Sequence, residues 1–528
     1  MDFPDITFKF LPKILIGSLP LFSTSTWSPK PEEPHAACLA LKSSLKLENS
    51  TITNVSYIHA GSTIDTPGPC GVETTDVQTA LCRVQFFTNT TDTSSVRAEA
   101  WLPDEWYGRF LATGNGGLGG CIDYGSLDYG TSLHFATVGS NNGHEGNDGI
   151  VFLNQPEVVN DFAFRAIHVE TVIGKQITEA YYGRPHDKAY YLGCSTGGRQ
   201  GTQAALKYPN DFDGILAGAP ATDFNHLLHW AAMLGRAIGA PNPSSSPAFI
   251  PPAMWKVISA EILQQCDGVD GVLDGIISEP DLCVFRPERL LCTSGRTLDS
   301  CLTPPQVAAL HKIYSPVHGR HGDLVYPRFD PGAEGDPLAL DLFSGQLSFT
   351  FQDWLRYAVL NDTEFDFSNY GFDELELMDA INPGGIATWN GNFSAFRDRG
   401  GKFLTYHGRS DPLIPSGNSK RMYNLLAYTL RAPASALDAF YRLFLIPGMG
   451  HCIGGPGATR FGQVSHANAL NASSHNILLA LVDWVEGGVA PDTIIGTAQD
   501  GATRAHCRYP QESVWNGDEF VCMPGLRS

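Results

Sequence analysis

The chain has little of what binding to nucleic acid or an anionic membrane surface requires. Of its 528 residues only 35 are Lys or Arg, against 55 Asp or Glu, giving a formal charge of −20, and the basic residues form no cluster. Phosphate-rich partners are held by clustered cations, so nucleic acid and anionic membrane are excluded as partners. After residue 22 there is no run of about 20 apolar residues, so nothing is expected to anchor the mature chain in a bilayer. Internal repeats and long disordered tracts are absent as well. Nothing in the sequence fixes an oligomeric state.

What is present points outside the cell. An apolar stretch at residues 14–22, ILIGSLPLF, follows Lys9 and Lys13 and precedes the small residues Ser23 to Thr26. This reads as a secretory signal peptide over residues 1–26, cleaved somewhere after Phe22, although Asp2 and Asp5 dilute its positive start. The twelve cysteines are an even number, and six N-x-S/T sequons begin at Asn49, Asn54, Asn89, Asn361, Asn392 and Asn471. A secreted, disulfide-bonded and glycosylated protein is expected.

Length suggests two or three folding units. From about residue 50 to 225, strand-like runs (Ser95–Leu102, Arg109–Ala112, Ala163–Val169, Ala189–Leu192) alternate with helical patterns at Thr171–Tyr182 and Arg199–Tyr208. Ile215 to Pro220 reads as the next strand of a parallel sheet, which makes the pattern doubly wound α/β. The rhythm breaks between 226 and 398, beginning with a Pro- and Ser-rich connector from Pro241 to Pro252. It returns with strands at Phe403–His407 and Tyr441–Ile446 and a helix at Asn476–Glu486. The expected organisation is a core built from residues 27–225 and 399–528, interrupted by an inserted lid domain at 226–398.

The chemistry-bearing residues fall in the core segments. Gly193-Cys194-Ser195-Thr196-Gly197 fits G-x-S-x-G, a strand–turn–helix elbow that projects a serine hydroxyl from the end of a strand. Asp411 follows the buried run Lys402 to Tyr406 and a His-Gly turn. A carboxylate there can fix an imidazole tautomer and stabilise the imidazolium; as a bland alternative, Asp before Pro often only starts a turn. Asp281, Asp330 and Asp362 lie in less regular contexts. Of sixteen histidines, His451 alone comes after Asp411 in a glycine-rich turn behind an apolar strand, where it can serve as general base and acid. Serine, then acid, then histidine is the α/β-hydrolase order. Ser195 and His451 each have a cysteine beside them, Cys194 and Cys452. If these were bonded, their Cα atoms would be held about 4.4–6.8 Å apart and would bring serine and histidine together.

Two glycine-rich loops complete the inventory. Gly114 to Gly120, GNGGLGG, follows a strand. Its Gly116 and Gly117 N–H groups, with that of Thr196, are candidates for an oxyanion hole; a plain flexible loop is the competing reading and a phosphate cradle a lesser one. Between Cys266 and Cys283, Asp267, Asp270 and Asp274 are spaced among glycines. With the carbonyls of Val272 and Ile276 they could surround a hard cation such as Ca²⁺. The spacing is not that of an EF-hand, and a polar glycine-rich loop remains the alternative.

Together these segments resemble the fungal tannase and feruloyl esterase family. The resemblance rests on Cys194-Ser195, Asp411 and His451-Cys452, on GNGGLGGC at 114–121, GCSTGGRQG at 193–201 and CDGVDGVLDG at 266–275, and runs from about residue 35 to the end. It implies an α/β-hydrolase core, mostly a parallel doubly wound sheet, and a large lid carrying a structural calcium ion on Asp267, Asp270, Val272, Asp274 and Ile276, with no organic cofactor. It also implies six disulfides: Cys38–Cys82, Cys70–Cys121, Cys194–Cys452, Cys266–Cys283, Cys292–Cys301 and Cys507–Cys522.

The function expected is a secreted serine esterase acting on hydroxycinnamoyl esters, such as feruloyl, caffeoyl or p-coumaroyl groups on plant cell-wall polysaccharide. Lid aromatics among Phe349 to Tyr357 are expected against the phenolic ring. A tannase with the same triad would need a pocket with more buried hydrogen-bonding groups for gallate. From other classes, a non-catalytic calcium-dependent binding protein and a peptidase also fit parts of the pattern.

Overall fold

The structure, a computed structural model, describes residues 34–66, 74–293, 300–464 and 470–525. The expected signal peptide lies outside them.

Nine strands form the central sheet: β1 (Ser50–Ile58), β2 (Leu81–Asn89), β3 (Ser95–Pro103), β4 (Arg109–Thr113), β5 (Phe135–Ser140), β6 (Lys188–Cys194), β7 (Gly214–Gly218), β8 (Lys402–Gly408) and β9 (Tyr441–Ile446). Their spatial order is β1-β2-β3-β5-β4-β6-β7-β8-β9. The first four are joined antiparallel, and from β5 to β9 every pairing is parallel. The parallel half reads as near-continuous apolar sequence because both its faces are covered. In β6, Ala189 and Tyr191 enter a core shared with the helices α1 (Ala166–Tyr182) and α2 (Thr196–Lys207). Tyr190 and Leu192 point the other way, into a core capped by the helix Ile477–Gly487. This period of two fixes which face each side chain serves.

The expected strand at Ala163–Val169 is helical. Residues Asp161–Arg165 form a π turn that runs straight into α1. Phe162, Ala163, Ala166 and Ile167 are the buried positions, a helical spacing, and Arg165 Nε bonds Asp161 four residues back at 2.5 Å.

β7 and β8 are neighbours in the sheet, and the segment between them adds no strand to it. That segment packs a core around Trp230, Trp255, Phe329, Phe343 and Trp354, with Trp255 stacked on Phe343 at 4.1 Å, and shares it with Leu118, Phe152 and Phe162 from the earlier part of the chain. It sits over the C-terminal ends of the parallel strands, the side on which ligands bind in open α/β sheets.

Five disulfides lie among the described residues: Cys38–Cys82, Cys194–Cys452, Cys266–Cys283, Cys292–Cys301 and Cys507–Cys522. Cys121 is also disulfide-bonded; Cys70 lies outside the described residues. No helix among them is long and apolar enough to cross a membrane.

Candidate active site

Ser195 stands between β6 and α2 with φ 63° and ψ −119°, the strained turn that an elbow requires. Its N–H donates to Gly218 O at 2.9 Å, which hangs the turn on the neighbouring strand. The flanking glycines are there for backbone contact. A Cβ on Gly193 would lie 2.8 Å from the carbonyl carbon of Gly197, and one on Gly198 only 2.4 Å from Gly218 O.

Asp411 follows β8 and is fully buried. Its Oδ1 accepts the N–H groups of Leu413 and Ile414, both at 2.9 Å, and its Oδ2 accepts His451 Nδ1–H at 2.8 Å. Those bonds fix the tautomer, leaving His451 Nε2 as the acceptor. His407 adds a contact at 3.3 Å from the other side. Burial alone would raise the Asp411 pKa, but the imidazoles of His451 and His407 hold it well below the usual carboxylate range. For His451, burial disfavours the imidazolium. The Asp411 carboxylate, with Asp336 beyond it, outweighs this and pushes the ring above its ordinary value.

The Cys194–Cys452 bond brings the residues next to Ser195 and His451 together, with Cα atoms 6.0 Å apart across 258 positions of sequence. Cys452 has a positive φ of 65°, as Ser195 has.

In the glycine loop, most polar backbone groups are already engaged. Gly114 N–H donates to Leu192 O, Gly119 N–H to Gly116 O, and Gly120 N–H to Gly146 O. Gly117 O accepts from Thr196 Oγ1 at 2.6 Å, and Leu118 O lies 2.6 Å from His144 Nε2. Gly116 and Gly117 are the exposed residues of the loop, with open space where a Cβ would stand. Their N–H groups make no hydrogen bond among the described residues. Thr196, at the first position of α2, has no intrahelical acceptor for its own N–H. The loop thus meets the nucleophile's helix at Gly117, with the Gly116 and Gly117 N–H groups on its exposed side.

Several residues that the sequence reading passed over support this arrangement. Arg409, fully buried two residues before Asp411, donates to Glu279 Oε2 at 2.8 Å, Asp281 Oδ2 at 2.9 Å and Ser416 Oγ at 3.0 Å. Asp330 accepts from both Ser416 N and Oγ at 2.7 Å. Asp281 and Asp330 therefore steady the turn that carries Asp411, and Asp362 has no part in it. Asp336 lies against the residue before His451: a Cβ on Gly450 would lie 2.8 Å from its Oδ2. Of the aromatics expected against the ring, Phe351 and Trp354 are buried in the core the segment shares with Phe152 and Phe162, Tyr357 is half-buried, and Phe349 is exposed.

The acidic loop ends 175 residues before His451 in sequence, yet in space Ile276 packs against the turn that leads to it. A Cβ on Gly448, three residues before His451, would stand 3.1 Å from Ile276 Cγ2. Asp267 Oδ1 accepts from Gly275 N and Ile276 N, Asp270 Oδ1 from Val272 N, and Asp274 Oδ1 from Ile276 N, at 3.0–3.2 Å. Among the described residues no three His, Cys, Asp or Glu side chains converge as a metal cluster. All six sequon asparagines are exposed.

Comparison with known proteins covers nearly the whole chain. A probable feruloyl esterase B from Aspergillus clavatus is 42% identical over 521 residues, 96% of this chain and 97% of its own length. A probable feruloyl esterase B-2 from Aspergillus terreus is likewise 42% identical over 517 residues, 96% of each chain. The crystal structure of feruloyl esterase B from Aspergillus oryzae superposes with a TM-score of 0.90 at 40% identity, over 93% of this chain and 100% of that one. Tannin acyl hydrolase from Aspergillus niger shares the fold, with a TM-score of 0.74 at 22% identity over 93% and 95%. The family described as tannase and feruloyl esterase matches residues 82–345 and 355–523, and the chain belongs to that family.

Proposed function

We propose that this α/β hydrolase is a serine carboxylic ester hydrolase that cleaves hydroxycinnamoyl esters. The observation carrying the reading is the Ser195 elbow tied by Cys194–Cys452 to a histidine whose Nδ1 is held by a buried carboxylate. Likeness to feruloyl esterase B over nearly the whole chain selects the acyl group. In the mechanism, His451 Nε2 takes the Ser195 proton as Oγ attacks the ester carbonyl. The N–H groups of Thr196, Gly116 and Gly117 receive the oxyanion. His451 then returns the proton to the departing alcohol, leaving an acyl-enzyme that water opens by the same steps in reverse roles. Asp411 stays ionised throughout and stabilises the imidazolium. The alcohol half belongs to plant cell-wall polysaccharide, and the enzyme is secreted and N-glycosylated. Five disulfides and six exposed sequon asparagines support that location.

Turnover of methyl ferulate, methyl caffeate and methyl gallate by the purified protein, beside Ser195→Ala, tests this reading. Hydroxycinnamate hydrolysis reduced roughly 10⁴-fold or more in Ser195→Ala is expected. Hydrolysis of gallate alone would make the protein a tannase, and turnover independent of Ser195 would remove the mechanism.

A structural Ca²⁺ is proposed for the 267–276 loop. Asp270 Oδ2 is buried with no hydrogen-bond partner, and burial followed by the charges of Asp270 and Asp267 raises the Asp274 pKa. These are hard oxygens suited to Ca²⁺, and since the three carboxylates do not converge in the structure, an ion held by Asp267, Asp270 and Asp274 with the carbonyls of Val272 and Ile276 would draw them together. The ion would supply charge neutralisation and rigidity, not chemistry. A melting temperature that falls on chelation and recovers with Ca²⁺ but not Mg²⁺ is expected; an unchanged melting temperature would refute the site.

A further inference from the structure

The glycine loop is bound to the nucleophile's own helix by one pair of side chains. Gln200 lies on α2, four residues after Thr196, and both it and Asn115 are buried. Gln200 Oε1 accepts the Asn115 N–H at 2.9 Å, and Gln200 Nε2 donates to Asn115 Oδ1 at 3.0 Å. This two-bond ring joins the helix to the loop at the point where they touch. A Cβ on Gly114 would meet Gly197 Cα at 2.8 Å and Gln200 Oε1 at 2.9 Å. Asn115 Nδ2 spends its two protons on Cys121 O and Ser140 O, both at 2.8 Å. One side chain thereby closes the far end of the loop and pins it to the end of β5. Every nitrogen and oxygen of the two side-chain amides is bonded.

The bonds run between the two segments that carry the oxyanion donors: Thr196 on the helix, and Gly116 and Gly117 on the loop. Donors act only when they stand about 2.7–3.1 Å from the developing oxyanion, so their mutual spacing controls the rate. Placement to within about 0.5 Å demands support of this kind behind the contacting groups. The Thr196 Oγ1 to Gly117 O bond makes a second tie, on the solvent side of the first.

We infer that Gln200 and Asn115 are positioning residues for the oxyanion hole, setting the spacing between the Thr196 N–H and the Gly116 and Gly117 N–H groups. Neither touches the ester. They act on the tetrahedral intermediate and leave substrate binding alone. The inference rests on Ser195 being the nucleophile.

The experiment compares wild type with Gln200→Met, which removes both bonds at similar volume, and Gln200→Glu, which keeps the Oε1 acceptor but loses the donor to Asn115. Active sites are counted with a serine-directed phosphonate, so partial unfolding does not enter the rates. On methyl ferulate, kcat is expected to fall roughly 10- to 100-fold in Gln200→Met, below the 10²–10³-fold loss of a whole oxyanion donor. Gln200→Glu should lie between it and wild type, with KM unchanged within about twofold in each variant. Phenylboronic acid, which forms a tetrahedral adduct on the serine, should lose affinity by the same factor as kcat/KM. A lowered melting temperature with unchanged kcat and boronate affinity overturns the inference and leaves Gln200 a merely structural residue. If Gln200→Met does not fold, Gln200→Glu decides alone. Ser195→Ala in the same series separates the two claims: turnover surviving there refutes the nucleophile. Turnover lost there but unaltered in the Gln200 variants refutes only the positioning role.

Discussion

The serine half of the site and its acid–base half are held together by different means. Around Ser195 the supports are local: strand β6 between β4 and β7, glycines packed to contact distance, and a loop tied to the helix by Gln200 and Asn115. Around Asp411 and His451 they come from far along the chain. Cys194 reaches Cys452 across 258 residues, Glu279 and Asp281 hold Arg409, Ile276 abuts Gly448, and Asp336 abuts Gly450. The nucleophile is a property of the sheet, whereas the base is a property of the sheet and lid together. Contacts that are close in sequence close cheaply; those that span the lid require it to be folded.

The largest test of this division removes the acid. Asp411→Asn leaves the fold and the elbow in place but permits the wrong imidazole tautomer, and kcat is expected to fall about 10⁴-fold. The pH dependence should move with it. In wild type, kcat/KM rises as His451 loses its proton, with an inflection above the ordinary histidine value of about 6.5. Without the carboxylate, burial dominates and the inflection drops below that value. Stability carries the same pair in both directions. The Asp411 pKa is depressed on folding, so its contribution is present above the unfolded value of about 3.9 and is lost as pH falls through the folded one. The His451 pKa is raised, so its contribution is complete below about 6.5 and disappears as pH rises through the folded value. An unshifted kcat/KM inflection in Asp411→Asn would contradict the assigned pairing.

Next in size is the covalent link between the halves. Replacing both Cys194 and Cys452 by Ala should cost about 2–5 kcal/mol of stability, the chain-entropy estimate for so long a loop being about 5 kcal/mol. Under conditions where the variant is fully folded, kcat should still fall, because the base loses its tie to the elbow. Urea unfolding followed by kinetics on the folded enzyme reads both. An unchanged midpoint with wild-type kcat would mean that the lid contacts alone place His451.

The smallest effect separates backbone support from side-chain support directly. In Gly198→Ala the new methyl meets Gly218 O and Pro220 Cα, which cannot retreat, and a loss of about 2–3 kcal/mol is expected. In Gly450→Ala the nearest atom is the end of the Asp336 side chain, which can swing away, and the loss should be about 1 kcal/mol or less. Paired thermal unfolding curves would show equal losses if the two halves were built alike.

The same division explains what could be read from the sequence. The elbow was legible because strand, serine and helix are contiguous from Lys188 to Lys207. Asp411 and His451 each end a local strand–turn segment, and their order along the chain identified them. Arg409, Asp336 and Gln200 were not legible, since nothing nearby in sequence marks their partners. Within the lid, helices as short as Phe349–Asp353 owe their existence to packing and carry little signal of their own. Ala163–Val169 was misassigned for a related reason: a short apolar run has no period strong enough to decide between helix and strand. Which glycines of the 114–120 loop stay free to donate follows from the neighbours that engage the others.

The 258-residue interval between the two bonded cysteines sets an order of events during synthesis. At about 5–20 residues per second, Cys194 leaves the ribosome roughly 13–50 seconds before Cys452. Throughout that interval the nascent chain carries its nucleophile without its base, and its elbow thiol without its partner, while Cys266, Cys283, Cys292 and Cys301 emerge in between. On the proposed roles, a newly made chain would be inert toward esters until it is nearly complete, and correct pairing of Cys194 with Cys452 requires that the cysteines emerging in between pair with each other first.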